Sequence, residues 1–353
     1  MINAKTLLIG MQDRNISFRT LQNIIKENGI PSARGWSPLI DAYSGKAGRE
    51  HFDILKEIYD SQLIYGRRNI YYSCLGELSQ IEGLVKTLKK INGAADKVVV
   101  GKYNESYPLP ISSDELENMS TLPVPMQVIE SDNTLRIIFC YPRRFKERDV
   151  IDVDNLSDEE KVSFGSYDEL IGVRHGVVQA FDSILLDKKN GNIQFQIDIC
   201  CTMSNEDFDT AARFYRRMVI DSFYNRTRKH LSFKKKNIFS KILELYQEKG
   251  GVIADLGHAT GTGSLKGEKM RRKGEDLRKE AFHQAGITAI SGKTNLYSIT
   301  KQWYGARGNR LTIEIPGNVA LASASKPFID HAIIEGCSDE SDFNLLNSKL
   351  EKL

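Results

Sequence analysis

The 353-residue sequence has few of the patterns that announce a compartment, a metal or a reaction. No apolar run approaches the roughly 18 residues needed to cross a bilayer. The opening MINAKTLLIGMQDRN lacks the long apolar stretch and cleavage site of a signal peptide, so a cytoplasmic protein without membrane contact is expected. The five cysteines (Cys74, Cys140, Cys200, Cys201 and Cys337) include no CxxC pair, which suits a reducing compartment. Six scattered histidines form no HxH or HExxH, so neither a tightly bound zinc nor another cofactor is expected. The glycine-rich spacings GxxxxGKS/T and GxGxxG are also missing, which argues against a standard nucleoside-triphosphate site. Charge imbalance is absent as well: 49 basic against 46 acidic residues leave +3, too little to argue for a polyanionic partner by total charge.

What is present is an ordinary globular composition, 41% hydrophobic and 27% charged, which excludes a disordered chain. At about 150 residues per domain the length suggests two or three units, placed at 1–101, 120–236 and 237–353. The expected class is α+β: an amino-terminal winged-helix-like module, then mainly antiparallel sheet lobes with packed helices.

In the first unit, apolar spacing and capping residues predict helices over 17–30, 37–45, 49–60 and 77–92. The run QLIYGRRNIYYSCL reads as two strands flanking Gly66, Arg67, Arg68 and Asn69. Helices followed by such a hairpin have the element order of a winged helix-turn-helix, which would set Arg67 and Arg68 against phosphates.

In the second unit, alternating apolar runs from Met126 predict an antiparallel sheet. The Asn190-Gly191 pair should turn its strongest hairpin. Ser204 should cap a helix with Phe208, Ala211, Ala212, Tyr215, Val219 and Phe223 inward and Arg213, Arg216 and Arg217 outward. The run RTRKHLSFKKK continues that charge through Arg228, Lys234 and Lys235 as a phosphate-neutralising ridge. Asp198, within the apolar run IQFQIDIC, reads as hydrogen-bonded structure.

The densest functional signal spans 255–283. A helix over 237–248, with Ile238, Ile242, Leu243 and Leu245 inward, should precede the short buried strand VIADLG. The following Gly/Thr/Ser loop, with Thr260, Thr262 and Ser264, would run into a helix starting near Leu265, a phosphate cradle at a helix amino terminus. That helix would carry Lys266, Lys269, Arg271, Arg272 and Lys273. His258, Glu268 and His283, near Asp255 and Glu280, are the candidates for metal binding or general-base chemistry. Further on, Trp303, Tyr304, Arg307 and Arg310 combine rings and cations suited to stacking on unpaired bases. The resulting expectation is a non-catalytic protein that binds DNA or RNA phosphates within a larger assembly. The alternatives are a metal-assisted phosphodiester-cleaving enzyme centred on 255–283 and a scaffold subunit for an acidic protein partner.

Overall fold

The computed structural model describes residues 2–14, 16–91, 97–152, 156–167, 169–261, 263–289 and 294–351. Helices α1 (Ala4–Asp13), α2 (Phe18–Glu27), α3 (Trp36–Ala42), α4 (Lys46–Glu50) and α5 (Phe52–Tyr65) lead into strand β1 (Arg68–Leu75). Then come α6 (Ile81–Leu88), α7 (Lys97–Ser106), α8 (Ser113–Leu116), β2 (Val124–Glu130), β3 (Thr134–Ile151) and α9 (Asp158–Phe164). They are followed by β4 (Leu170–Asp187), β5 (Asn192–Asp198), the long α10 (Asn205–Thr227) and β6 (Phe233–Lys235). The last third holds α11 (Ser240–Gln247), β7 (Val252–Thr260), β8 (Leu265–Lys269), α12 (Ala281–Ala289), β9 (Thr294–Tyr304), β10 (Arg310–Ile315), α13 (Val319–Ala322), β11 (His331–Glu335) and α14 (Glu340–Glu351). No described helix is long and apolar enough to cross a membrane.

The class is α+β, built on one antiparallel sheet ordered β2-β3-β4-β5-β1-β11-β10-β9-β7-β8, with β6 pairing the end of β1. Strand β1 joins the halves, since Arg68 lies opposite Asp198 of β5 on one side and Ile334 of β11 on the other. Its sequence RNIYYSCL explains the central place, because aromatic and β-branched side chains serve both faces of a buried strand. Tyr71 packs with Phe139, Phe195 and the inward side of α10 on one face. Ile70 and Tyr72 pack with Ile242, Leu245 and Leu346 of α11 and α14 on the other. The amino-terminal helices share the core of Ile138, Cys140 and Phe181.

Two local expectations hold in their main features. The β4–β5 hairpin turns at 188–191 with Gly191 at φ +69, and Asp187 Oδ1 accepts from the amides of Lys189 and Asn190. Helix α10 starts with a capping box between Ser204 and Asp207 and buries Phe208, Ala212, Tyr215, Val219 and Phe223.

Other expectations are overturned. No wing forms: Gln62 and Leu63 extend the buried stripe of Leu55, Ile58 and Tyr59 along α5, so 62–65 stay helical where a strand was expected. Arg68 sits in the sheet, 1% exposed, donating to the carbonyls of Leu63, Ile64 and Phe181. Leu243 of α11, expected inward, points to solvent, half exposed. Residues 265–269 form a strand, β8, in place of a helix.

Charges are buried on both faces of the sheet, Asp182 on the side of α10 and Asp198 beside α1. Asp182 accepts from Arg143 through both carboxylate oxygens, at 2.9 and 2.8 Å, and from the Tyr141 hydroxyl. Asp198 pairs with Arg14 at 2.9 Å and accepts from the Phe181 amide, the structural role expected of it. Burial alone would raise the Asp198 carboxyl, yet Arg14, Arg68, the Phe181 amide and Arg143 outweigh it and hold it below the usual range. A depressed carboxyl contributes stability above its unfolded pKa, near 3.9, and loses it as pH falls through the folded value. The urea midpoint should therefore hold from pH 7 to 5 and drop below about pH 4. An unchanged midpoint at pH 3 would count against the ion pair.

Candidate functional site at the corner of β7, β8 and α12

Strand β7 leaves Gly251, at φ +71, and pairs β8 antiparallel, with Ala259 opposite Leu265. Inside it the Ser264 amide donates to Thr260 Oγ1 at 3.1 Å, the Gly263 amide to the Thr260 carbonyl at 2.9 Å, and the Thr260 amide to the Ser264 carbonyl at 2.9 Å. These backbone donors are spent on Thr260 and Ser264, and strand β8 follows where a helix amino terminus was expected. The expected phosphate cradle of Thr260 and Ser264 is thus replaced by a hairpin. Thr262 lies outside the described residues.

The register sets Leu256 opposite Glu268 and His258 opposite Lys266. Period-2 alternation puts Leu256, His258 and Glu268 on one face, that of the core shared with α11 and α14, where Leu256 packs. The chain then returns through a short turn at 277–279, where Asp276 accepts from the amides of Ile253 and Arg278. The Arg278 guanidinium donates to the carbonyls of Tyr246, Glu248 and Gly251 and so locks this turn to the end of α11. Glu280 accepts from the His283 amide at 2.6 Å; this bond, with a second from Phe282, holds its carboxyl below the usual range. The cap turns His283 inward from α12.

His258, Glu268 and His283, ten and fifteen residues apart in sequence, therefore meet in space. His258 Nε2 lies 2.5 Å from Glu268 Oε1, and His283 Nδ1 lies 2.9 Å from Glu268 Oε2. His283 Nε2 lies 2.9 Å from the Tyr246 hydroxyl, a residue that no sequence pattern singled out. With Glu268 as carboxylate, each histidine donates an N–H to it, and the Tyr246 O–H donates to the remaining nitrogen of His283. Both imidazoles are buried, and Glu268 is the more open member, its side chain 18% exposed. Asp255, on the opposite face, faces Lys269 at 3.8 Å and takes no part.

Beyond Glu268 the loop 270–276 carries the basic residues into solvent. Lys269 and Arg272 have distant partners in Asp255, at 3.8 Å, and Glu275, at 3.5 Å. Lys266, Arg271 and Lys273 are exposed, and among the described residues no carboxylate lies within ion-pair distance of them. Tyr304, 64% exposed, closes on this loop: at Gly274, φ +91, a Cβ would come within 2.8 Å of the Tyr304 hydroxyl oxygen. The left-handed backbone there favours glycine. Trp303 is not free to stack on a base, because the ammonium groups of Lys301 and Lys349, both paired with Glu248, lie 5.3 and 4.9 Å from its ring. Arg307 is committed to Glu27 and Asp339, and Arg310 is half-buried.

The expected ridge is divided. Arg213 and Arg217 are exposed on α10, Arg217 beside Asp221, and Lys234 is exposed on β6. Arg228 ends α10 in a left-handed conformation over the Tyr224 ring. Arg216 instead turns to the sheet, donating to Ser73 Oγ at 3.2 Å over the Phe195 ring. Arg67 pairs with Glu335 at 3.1 Å, and Lys235 with Asp330 at 2.8 Å. Around Asp330 the sheet gathers a group the sequence did not suggest, with His331 stacked on Tyr71 at 4.8 Å and the Tyr71 hydroxyl donating to Asp209 at 2.8 Å. No family model, no curated protein and no solved structure matches the chain.

Proposed function

We propose that the protein binds nucleic acid through the loop 269–273 and Tyr304, preferring single-stranded DNA or RNA, and works as a cytoplasmic subunit of a larger assembly. The observation that carries this reading is the set of unpartnered cations, Lys266 in β8 and Arg271 and Lys273 in the loop, beside the exposed ring of Tyr304, which closes on that loop from β9. Phosphates would neutralise the cations and release counterions, while the Tyr304 ring offers a base a stacking face of any sequence. The exposed Arg213, Arg217 and Lys234 add non-specific attraction.

Fluorescence anisotropy with labelled single-stranded DNA, RNA and duplex DNA across a salt series tests it. The triple substitution Arg271→Ala, Arg272→Ala, Lys273→Ala should lower the slope of log K against log salt by about 2–3. Tyr304→Ala should cost about 1–3 kcal/mol on single strands and little on duplex. No binding at about 50 mM salt would sink the reading, and salt-sensitive association with a protein, unaffected by nucleic acid, would favour the acidic-partner scaffold instead. The meeting of His258, Glu268 and His283 favours one second reading, metal-assisted phosphodiester cleavage. Its sign would be shortened ligands after the titration, with His258→Ala leaving them intact.

A further inference from the structure

We propose that His258, Glu268 and His283 form a binding site for one borderline divalent transition-metal ion of the zinc class, which fastens both ends of the basic loop to β7. One donor atom from each residue lies within 4.8 Å of the other two. Donors about 2.0–2.1 Å from a tetrahedral ion stand about 3.4 Å apart, so Glu268 would retreat by less than about 1 Å from each imidazole to admit the ion. Two neutral imidazoles and one carboxylate match zinc chemistry and suit neither Mg²⁺ nor Ca²⁺, which take oxygen donors. The surroundings are formed for it. His283 is set by the Glu280 cap, and its second nitrogen meets the Tyr246 hydroxyl. On coordination through Nδ1 the His283 proton moves to Nε2, and the hydrogen bond to Tyr246 reverses, leaving Tyr246 oxygen as acceptor. His258 Nδ1 is buried without a partner whichever tautomer the ring adopts, so it does not decide between the two states.

The histidine spacing showed nothing of this, because the ligands stand on two strands and a helix. Glu268 immediately precedes the loop and His283 follows it, with His258 on the neighbouring strand. An ion there would tie the segment 268–283 at both ends.

The test uses the full chain, stripped by a chelator and titrated with Zn²⁺ in the absence of nucleic acid, followed by calorimetry and native mass spectrometry. One Zn²⁺ per chain is expected. His258→Ala and His283→Ala should each weaken uptake by at least about 100-fold, and Tyr246→Phe by about 10–100-fold as a positioning residue. Far-ultraviolet circular dichroism identifies any variant that fails to fold. For such a variant Glu268→Gln, close in shape to the native residue, replaces it, and the Co²⁺ absorption spectrum of the unaltered protein reports imidazole coordination directly. Absence of stoichiometric Zn²⁺ uptake by the unaltered protein overturns the proposal, as does undiminished uptake by folded His283→Ala or equal uptake of Mg²⁺. The outcome is separate from nucleic-acid affinity, so either idea can fail alone.

Discussion

Asp182→Asn should cost about 3–5 kcal/mol of folding stability, measured by urea unfolding at pH 7. Asp182 is fully buried, and its carboxylate serves both Arg143 and the amide of Asp198, with the Tyr141 hydroxyl as a further donor. Asparagine keeps the shape but removes the charge, leaving a guanidinium 5% exposed without its counter-ion. Removing one member of a buried pair is far more destructive than removing both. The double variant Arg143→Met with Asp182→Leu should therefore recover more than half of the loss. If the single variant unfolds at the native urea midpoint, or the double one is as weak as the single, the pair does not hold β3 to β4 in this way.

Arg67 and Arg68, adjacent in sequence, should behave in opposite ways. Arg67→Ala removes one half-exposed pair with Glu335 and should change stability by no more than about 0.5 kcal/mol. Arg68→Met strips the donor from the last-turn carbonyls of α5, Leu63 and Ile64, and from Phe181 in β4. Each buried acceptor left without a partner costs about 1–3 kcal/mol, so a loss of about 3 kcal/mol or more is expected. Parallel thermal melts decide the matter: equal small effects would mean that Arg68 reaches solvent.

That pair also explains what the sequence could and could not convey. Identical residues on alternate faces of a strand have different fates, and the face is fixed only by what lies beside the strand. The tip reading of Gly66 to Asn69 rested on the β-propensity of Ile64 and Tyr65, but tertiary packing of the stripe from Leu55 to Leu63 prevailed. Elements with their own start and stop chemistry were legible: the Asn190-Gly191 turn, the Ser204 capping box and the short strand VIADLG. The stretch after Leu265 was not, because lysine, glutamate and methionine favour helix while β7 offers an open edge that takes the chain as β8. The candidate site was half legible. His258, Glu268 and His283 stood out by chemistry within 255–283, but their meeting, and Tyr246 beside them, depended on a hairpin and a returning helix that no local spacing encodes.

The central position of β1 bears on synthesis. Register pairs Arg68 with Asp198 and with Ile334, 130 and 266 positions later in the chain. At roughly 5–20 residues per second, the nascent strand waits about 7–26 s for β5 and about 13–53 s for β11. Through that interval a run of isoleucine and tyrosine has an open edge on the ribosome, the kind of surface on which chaperones act.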